Sequence, residues 1–235
     1  MEAKRPFVIF DCDGVLVDSE PLSVRVLVEA LNRRGVSIGE EEAYARFLGR
    51  SLSTVGQILH DDFDHSIDAV FLADLRHHLY EKFRRELRPV SGVTSALEVL
   101  PWPKCVASSS QPERIRLSLS LTGLLSQFEP NIFSATMVAH GKPAPDLFLH
   151  AARAMGAKAA DCVVIEDSPA GIEAAQRAGM AVFAFVGGSH AAASGYRERV
   201  AALSPDVTFD AMGDLIHLVR KHIEGSETPR LRDPS

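Results

Sequence analysis

The sequence is poor in cysteine, in surplus positive charge and in long apolar runs. Its three cysteines, Cys12, Cys105 and Cys162, have no metal-ligand spacing, and each lies in or beside an apolar stretch. This argues against a disulfide framework or a zinc-thiolate site and for reduced, interior thiols, the usage expected of a cytoplasmic protein. Basic residues number 25 against 31 acidic ones, for a net charge of −6, so no broad nucleic-acid-binding surface is expected. No apolar run approaches the length of a membrane span, and the opening MEAKRPFVIF holds too short a run for a signal peptide. Internal repeats and low-complexity segments are also lacking. The polar, proline-containing end, GSETPRLRDPS (225–235), is expected to be a disordered tail.

What remains is an ordinary globular composition. The chain has 235 residues, 46% hydrophobic and 24% charged, enough to bury a sizeable core. Residues 6–11 read as a buried strand, and from 104 onward strand-like and helix-like pieces alternate. KCVAS (104–108), NIFSA (131–135), CVVIED (162–167) and AVFAFV (181–186) are short continuous apolar runs, the first three followed by amphipathic helical patterns. That alternation predicts an α/β fold, a Rossmann-like parallel sheet covered on both faces. Residues 19–88 differ, because four helical patterns follow one another with no strand between them. The first carries Leu22, Val26, Leu27, Ala30 and Leu31 on one stripe and stops at Gly35; the last aligns Val70, Phe71, Leu75, Leu79 and Phe83. An all-helical cap inserted into the core is therefore expected, with the core at 1–17 and 90–224 and the cap at 18–89.

The chemistry is concentrated in FVIFDCDGVLVDSE (7–20). A buried strand ends in two aspartates one residue apart, Asp11 and Asp13, which repel each other and lose solvation. Ligands in open parallel sheets bind beyond the carboxyl ends of the strands. Those ends carry Asp11 and Asp13, then Ser108, Ser109 and Ser110, then Lys142 in HGKPAPD, then Glu166 and Asp167 before Ser168-Pro169. Hard carboxylate oxygens suit Mg²⁺, whereas lysine, hydroxyls and free backbone N–H groups suit phosphate. A carboxylate can also attack phosphorus to give an acyl phosphate.

DCDGVLVDSE, VASSS, HGKPAPD and VIEDSPAGIEAA, in this order, resemble the four signature motifs of the haloacid dehalogenase superfamily. The resemblance spans about residues 6–190, and the helical insertion is similar to the cap of the beta-phosphoglucomutase-like branch. It implies that Asp11 is the nucleophile and Asp13 the general acid/base. It further implies that Ser108 holds a phosphate oxygen, that Lys142 neutralises charge between nucleophile and phosphate, and that Gly14 lets backbone approach the phosphoryl group. Mg²⁺ would be held by Asp11, Asp167 and the Asp13 carbonyl, with Glu166 direct or through water. Ser109 and, in the cap, Arg50 are the expected substrate contacts. Asp18 and Ser19 read as hinge and helix N-cap, the basic KFRREL run as a solvated helix face, and His190 as a residue that could overhang the rim. The expected activity is hydrolysis of a small phosphorylated metabolite, such as a sugar or sugar-acid phosphate, by a monomer or weak dimer.

Rival activities leave different residues. A dehalogenase of the superfamily lacks the second aspartate, present here as Asp13, and a phosphonate hydrolase needs a Schiff-base lysine in the cap. A receiver-type phospho-switch lacks the helical insertion. The beta-phosphoglucomutases carry a histidine where this chain has Ser23 and an arginine where it has Leu52, so mutase chemistry is disfavoured.

Overall fold

A computed structural model describes residues 6–47, 52–63 and 65–227. Its frame is a six-stranded, wholly parallel sheet in the order β3-β2-β1-β4-β5-β6. The strands are β1 Phe7–Phe10, β2 Lys104–Ser108, β3 Ile132–Ser134, β4 Cys162–Glu166, β5 Ala181–Phe185 and β6 Val207–Phe209. Strand β1 is central, so its residues are buried on both faces, and the two-residue alternation divides them. Val8 and Phe10 enter one apolar layer, and Phe7 and Ile9 enter the other.

Helices supply the other half of each layer. The first layer takes Ile115 and Leu119 from α6 (Pro112–Leu121) and Leu215 and Val219 from α10 (Leu215–Glu227), together with α5 (Val93–Val99). The second takes Leu147, Phe148 and Ala151 from α7 (Asp146–Ala154), Ile172 and Ala175 from α8 (Pro169–Arg177) and Val200 from α9 (Tyr196–Ala202). All three cysteines are free and buried in these layers or at their edge. The parallel-sheet expectation holds. Strand β6 and helices α5, α9 and α10 were not foreseen, the first three being short. In β6 only Phe209 is buried, so no continuous apolar run marks it. The last helix includes residues 225–227, assigned above to the tail.

Between β1 and β2 lie α1 (Glu20–Arg33), α2 (Glu40–Phe47), α3 (Leu52–Phe63) and α4 (Ala69–Glu86). Helix α1 packs on α2 and α4, with Leu27, Leu31, Phe71, Leu75 and Phe83 all buried. Beyond α1, Gly35 sits at φ 86°, a left-handed value that ends the helix and costs glycine nothing. Asp68 caps α4 by accepting the Phe71 N–H at 2.6 Å. Outgoing and returning chains cross side by side, Asp18 N–H donating to Arg88 O and Val90 N–H to Leu16 O, both at 3.0 Å. Among the described residues no helix is long and apolar enough to cross a membrane.

The order of strands reverses around β1, whose neighbours are β2 and β4. A crevice opens at such a switch point beyond the strand ends. The sheet side of that crevice rests on Phe10, fully buried and edge-on to Phe128 at 5.8 Å between ring centroids. Phe10→Ala should cost about 3–5 kcal/mol of stability, measured as a shift in the denaturant midpoint at unchanged slope.

Candidate active site

Each strand next to the switch point ends in a charged or hydroxyl side chain. Strand β1 runs straight into Asp11, whose N–H donates to Ile165 O at 2.9 Å, holding it level with the end of β4. Asp11, Glu166 and Asp167 are all buried, at 6%, 0% and 4% exposure. Their carboxylate oxygens approach within 4.8 Å of one another. Lys142 enters from the loop before α7, and its Nζ lies 2.7 Å from both Asp11 Oδ1 and Glu166 Oε1. One cation thus bridges two of three buried anions.

The surroundings of these acids differ. The second oxygen of Glu166 accepts from the Ser168 N–H at 2.6 Å and the Ser168 hydroxyl at 3.0 Å, so both its oxygens are engaged. Asp167 Oδ2 meets His190 Nε2 at 2.9 Å, and the Tyr196 hydroxyl donates to the Asp167 carbonyl. His190 is fully buried behind the rim and does not overhang it. Gly14, at φ 81°, is packed so tightly that a Cβ there would land on the Asp167 carboxylate and the His190 ring. Only glycine satisfies both the backbone angle and the space.

Asp13 faces the cap side. Its carboxylate accepts from the Ser19 hydroxyl at 2.6 Å, the Ser110 hydroxyl at 2.6 Å and Arg114 Nη2 at 2.8 Å. Ser19 does occupy the N-cap position of α1, but its hydroxyl makes no cap bond because it is spent on Asp13. Asp18 accepts from the Ser189 N–H and hydroxyl, tying the hinge to the loop after β5. Ser108 is buried at the end of β2, its oxygen accepting the Ser110 N–H at 3.2 Å. Ser109 is exposed, and Ser110 turns inward in its place.

Electrostatics separate the two aspartates. Burial raises the pKa of Asp11 well above the usual carboxylate range; Lys142 pulls it down, but Glu166, Asp167 and Asp13 push it up again. Asp13 also suffers burial, yet Arg114 and the two serines prevail and hold it below the usual value. For Glu166 burial dominates and its pKa rises. Burial opposes the charge of Lys142, but Asp11 and Glu166 raise its pKa overall. Glu20, the first residue of α1, is pushed up to about 7 by burial and by the charges of Asp13 and Asp167.

The structure therefore brings Asp11, Asp13, Gly14, Ser108, Lys142, Glu166 and Asp167 to one crevice. Arg50 lies outside the described residues, as does the side chain of Leu52. Lys82, Arg84 and Arg85 pair with Glu86 and Glu81 along α4, the solvated face expected of them. Ser110, read from the sequence only as one of the serines at the end of the second strand, bonds Asp13 instead, and Arg114, Tyr196 and Glu20 had not been singled out for a role at this site. Arg114 had left a trace, a cation in the first turn of a helix, where the dipole disfavours it.

The model of the haloacid dehalogenase-like hydrolases matches residues 8–185. The chain belongs to that family. A 6-phosphogluconate phosphatase of Escherichia coli (strain K12) is 31% identical over 188 residues, covering 78% of this chain and 83% of its own. A fructose-1-phosphate phosphatase of the same strain is 31% identical over 184 residues, 74% of this chain and 92% of its own. Among solved structures, a haloacid dehalogenase-like protein of unknown function from Agrobacterium tumefaciens superposes with a TM-score of 0.83. It is 33% identical and covers 93% of this chain and 99% of its own. The expectation of a phosphoric monoester hydrolase agrees with the two Escherichia coli relatives, which are named as phosphatases.

The site tolerates nothing at Gly14. Gly14→Ala should leave the protein folded but lower kcat/KM on any substrate by about a hundredfold, the scale of a 1 Å misplacement. Steady-state kinetics alongside a thermal melt check it.

Proposed function

We propose that the protein is a Mg²⁺-dependent phosphatase of small phosphorylated metabolites, sugar or sugar-acid phosphates, working through a phospho-Asp11 intermediate. The observation that carries this reading is Lys142 lodged between Asp11 and Glu166, with Asp13 held separately two residues on. An attacking carboxylate and a proton-transferring carboxylate need different environments, and these two have them. The substrates in the relatives' names, 6-phosphogluconate and fructose 1-phosphate, support the choice of class.

The buried donor set fits a hard divalent cation. Three carboxylates with one lysine among them leave negative charge uncompensated, and all their donors are oxygen. Asp11, Asp167 and the Asp13 carbonyl would hold the ion. Glu166, whose oxygens are already taken by Lys142 and Ser168, would contribute through water. When bound, Mg²⁺ would screen the carboxylates and polarise the phosphoryl oxygens.

In the first half-reaction an Asp11 oxygen bonds to phosphorus as the ester P–O bond breaks, and protonated Asp13 gives its proton to the departing alkoxide. In the second, Asp13 takes a proton from water as that water attacks phosphorus, the acyl P–O bond breaks, and inorganic phosphate leaves with Asp11 restored. Lys142 and the Ser108 hydroxyl would steady the phosphoryl oxygens.

Mutase chemistry is the nearest rival, and Ser23 disfavours it. Its hydroxyl donates to Ser19 O at 3.0 Å and accepts from Arg114 at 3.3 Å, so the mutase-histidine position holds a neutral, engaged group. Inorganic phosphate, rather than interconverted glucose phosphates, is the expected product; glucose 6-phosphate formed from beta-glucose 1-phosphate faster than phosphate is released would overturn this. Asp11→Asn should fold and lose turnover by several orders of magnitude; retention above about a tenth of wild-type kcat, under about 1.4 kcal/mol of barrier, would refute the mechanism. Activity should vanish with EDTA and return with Mg²⁺. Asp167→Ala should raise the Mg²⁺ needed for half-activation far more than Glu166→Gln, and the reverse ranking would exchange their roles.

A further inference from the structure

Arg114 is placed as no other arginine of the described chain is. It sits in the first turn of α6, in the core, where that helix meets α4 of the cap. Nη2 reaches the Asp13 carboxylate at 2.8 Å and the Ser23 hydroxyl of α1 at 3.3 Å. The guanidinium lies 5.4 Å from the centroid of the Phe83 ring of α4, and Nε is buried with no partner. A single side chain from the core thus touches Asp13 and both long cap helices.

The geometry points to Arg114 as the positioning residue that sets the angle of the Asp13 carboxylate, backed by the cap. This rests on the phosphatase reading given above, in which Asp13 transfers the proton. Three donors hold that carboxylate, but they are not equivalent. The hydroxyls of Ser19 and Ser110 turn about one bond and follow an acceptor that moves. The planar guanidinium is directional, and its place over the Phe83 ring, 5.4 Å from the centroid, restricts how far it can follow. Phe83 is itself buried, at 1% exposure, in the layer shared by cap and sheet. The seat of α4 is thereby relayed to the group that must meet the leaving oxygen, and a small misplacement there is expensive in rate.

A residue acting through the general acid leaves a signature in the leaving group. In the step concerned, the ester P–O bond breaks while the Asp13 proton passes to the departing oxygen. p-Nitrophenolate departs readily without that proton, and phenolate needs it. Comparing kcat/KM on phenyl phosphate and p-nitrophenyl phosphate isolates the effect, since the ratio reports only steps up to phosphorylation of the enzyme. Arg114→Ala should lower kcat/KM on phenyl phosphate at least tenfold more than on p-nitrophenyl phosphate. Arg114→Lys, which keeps the charge but not the planar fork, should show a differential of at least threefold, and it carries the comparison if the alanine variant does not fold. Phe83→Leu, which removes the ring beside the guanidinium, should shift the ratio in the same direction. Equal losses on the two esters, no loss, or a loss confined to KM in the arginine variants would overturn the proposal; an unchanged ratio in Phe83→Leu would overturn the part played by the cap. A wild-type protein that releases phosphate from neither ester with Mg²⁺ present defeats the phosphatase reading itself, before any variant is made.

Discussion

Mutual repulsion among buried carboxylates is the constraint to which the rim of the sheet answers. Asp11, Glu166 and Asp167 are gathered within 4.8 Å, where each like-charge pair costs about 4 kcal/mol at an effective dielectric of 20. Lys142 offsets part of this from one side, and the rest is met by small devices around it. Ser168 gives Glu166 two donors, and Gly171 leaves the space that the Glu166 carboxylate fills, since a Cβ there would collide with it. His190 answers Asp167, and its pKa is raised because that hydrogen bond and charge outweigh the opposing effect of burial. Gly14 and His190 then fill the wall so closely that a Cβ at Gly14 would meet both the Asp167 carboxylate and the His190 ring.

The same crowding separates Asp11 from Asp13, although one residue divides them. Asp11 looks inward at other acids and is pushed up; Asp13 looks toward the cap at Arg114 and two hydroxyls and is pulled down. The nucleophile of the proposed mechanism must be ionised, and a divalent ion beside Asp11 would favour its charged form against this field. Asp13 as a resting carboxylate is suited to take a proton from water. To donate one in the first half-reaction of the proposed mechanism it would have to be protonated against that field, and its three donors would then yield an acceptor role to its O–H. How firmly each donor holds therefore bears directly on the chemistry.

Legibility in the sequence follows the range of the interaction that fixes each feature. Strands β1 to β5 announce themselves because continuous apolar runs are dictated by burial on both faces, and the four cap helices because their stripes recur at helical spacing. Strand β6 sits at the edge with one buried residue and offers no such run. The acids were visible because each directly follows its strand, so topology alone brings them together. Arg114 was not, because it reaches Asp13 across 101 residues of chain and from within a helix, not from a strand end. Ser19 shows the converse: its position in the helix cap was legible, but the partner of its hydroxyl is a tertiary choice.

The four inserted helices are joined to the core beside Asp13. The segments that flank the four inserted helices, residues 16–18 and 88–90, pair with each other and with the loop of Asp13. Gly14 N–H donates to Val17 O at 2.8 Å, so the turn carrying the acid/base also begins the outgoing arm. Any shift of the cap is felt first at the residues flanking Asp13. Cap and sheet also share one apolar layer, from Phe10 and Ile115 through Leu31 and Phe83, so the cap is seated by packing and not by its linkers alone. Packed interiors adopt discrete arrangements and deform little between them. Asp13 is joined to the linker through Ser19 and to the layer through Arg114, so in the proposed mechanism the seating of the helical insertion bears on the proton transfer.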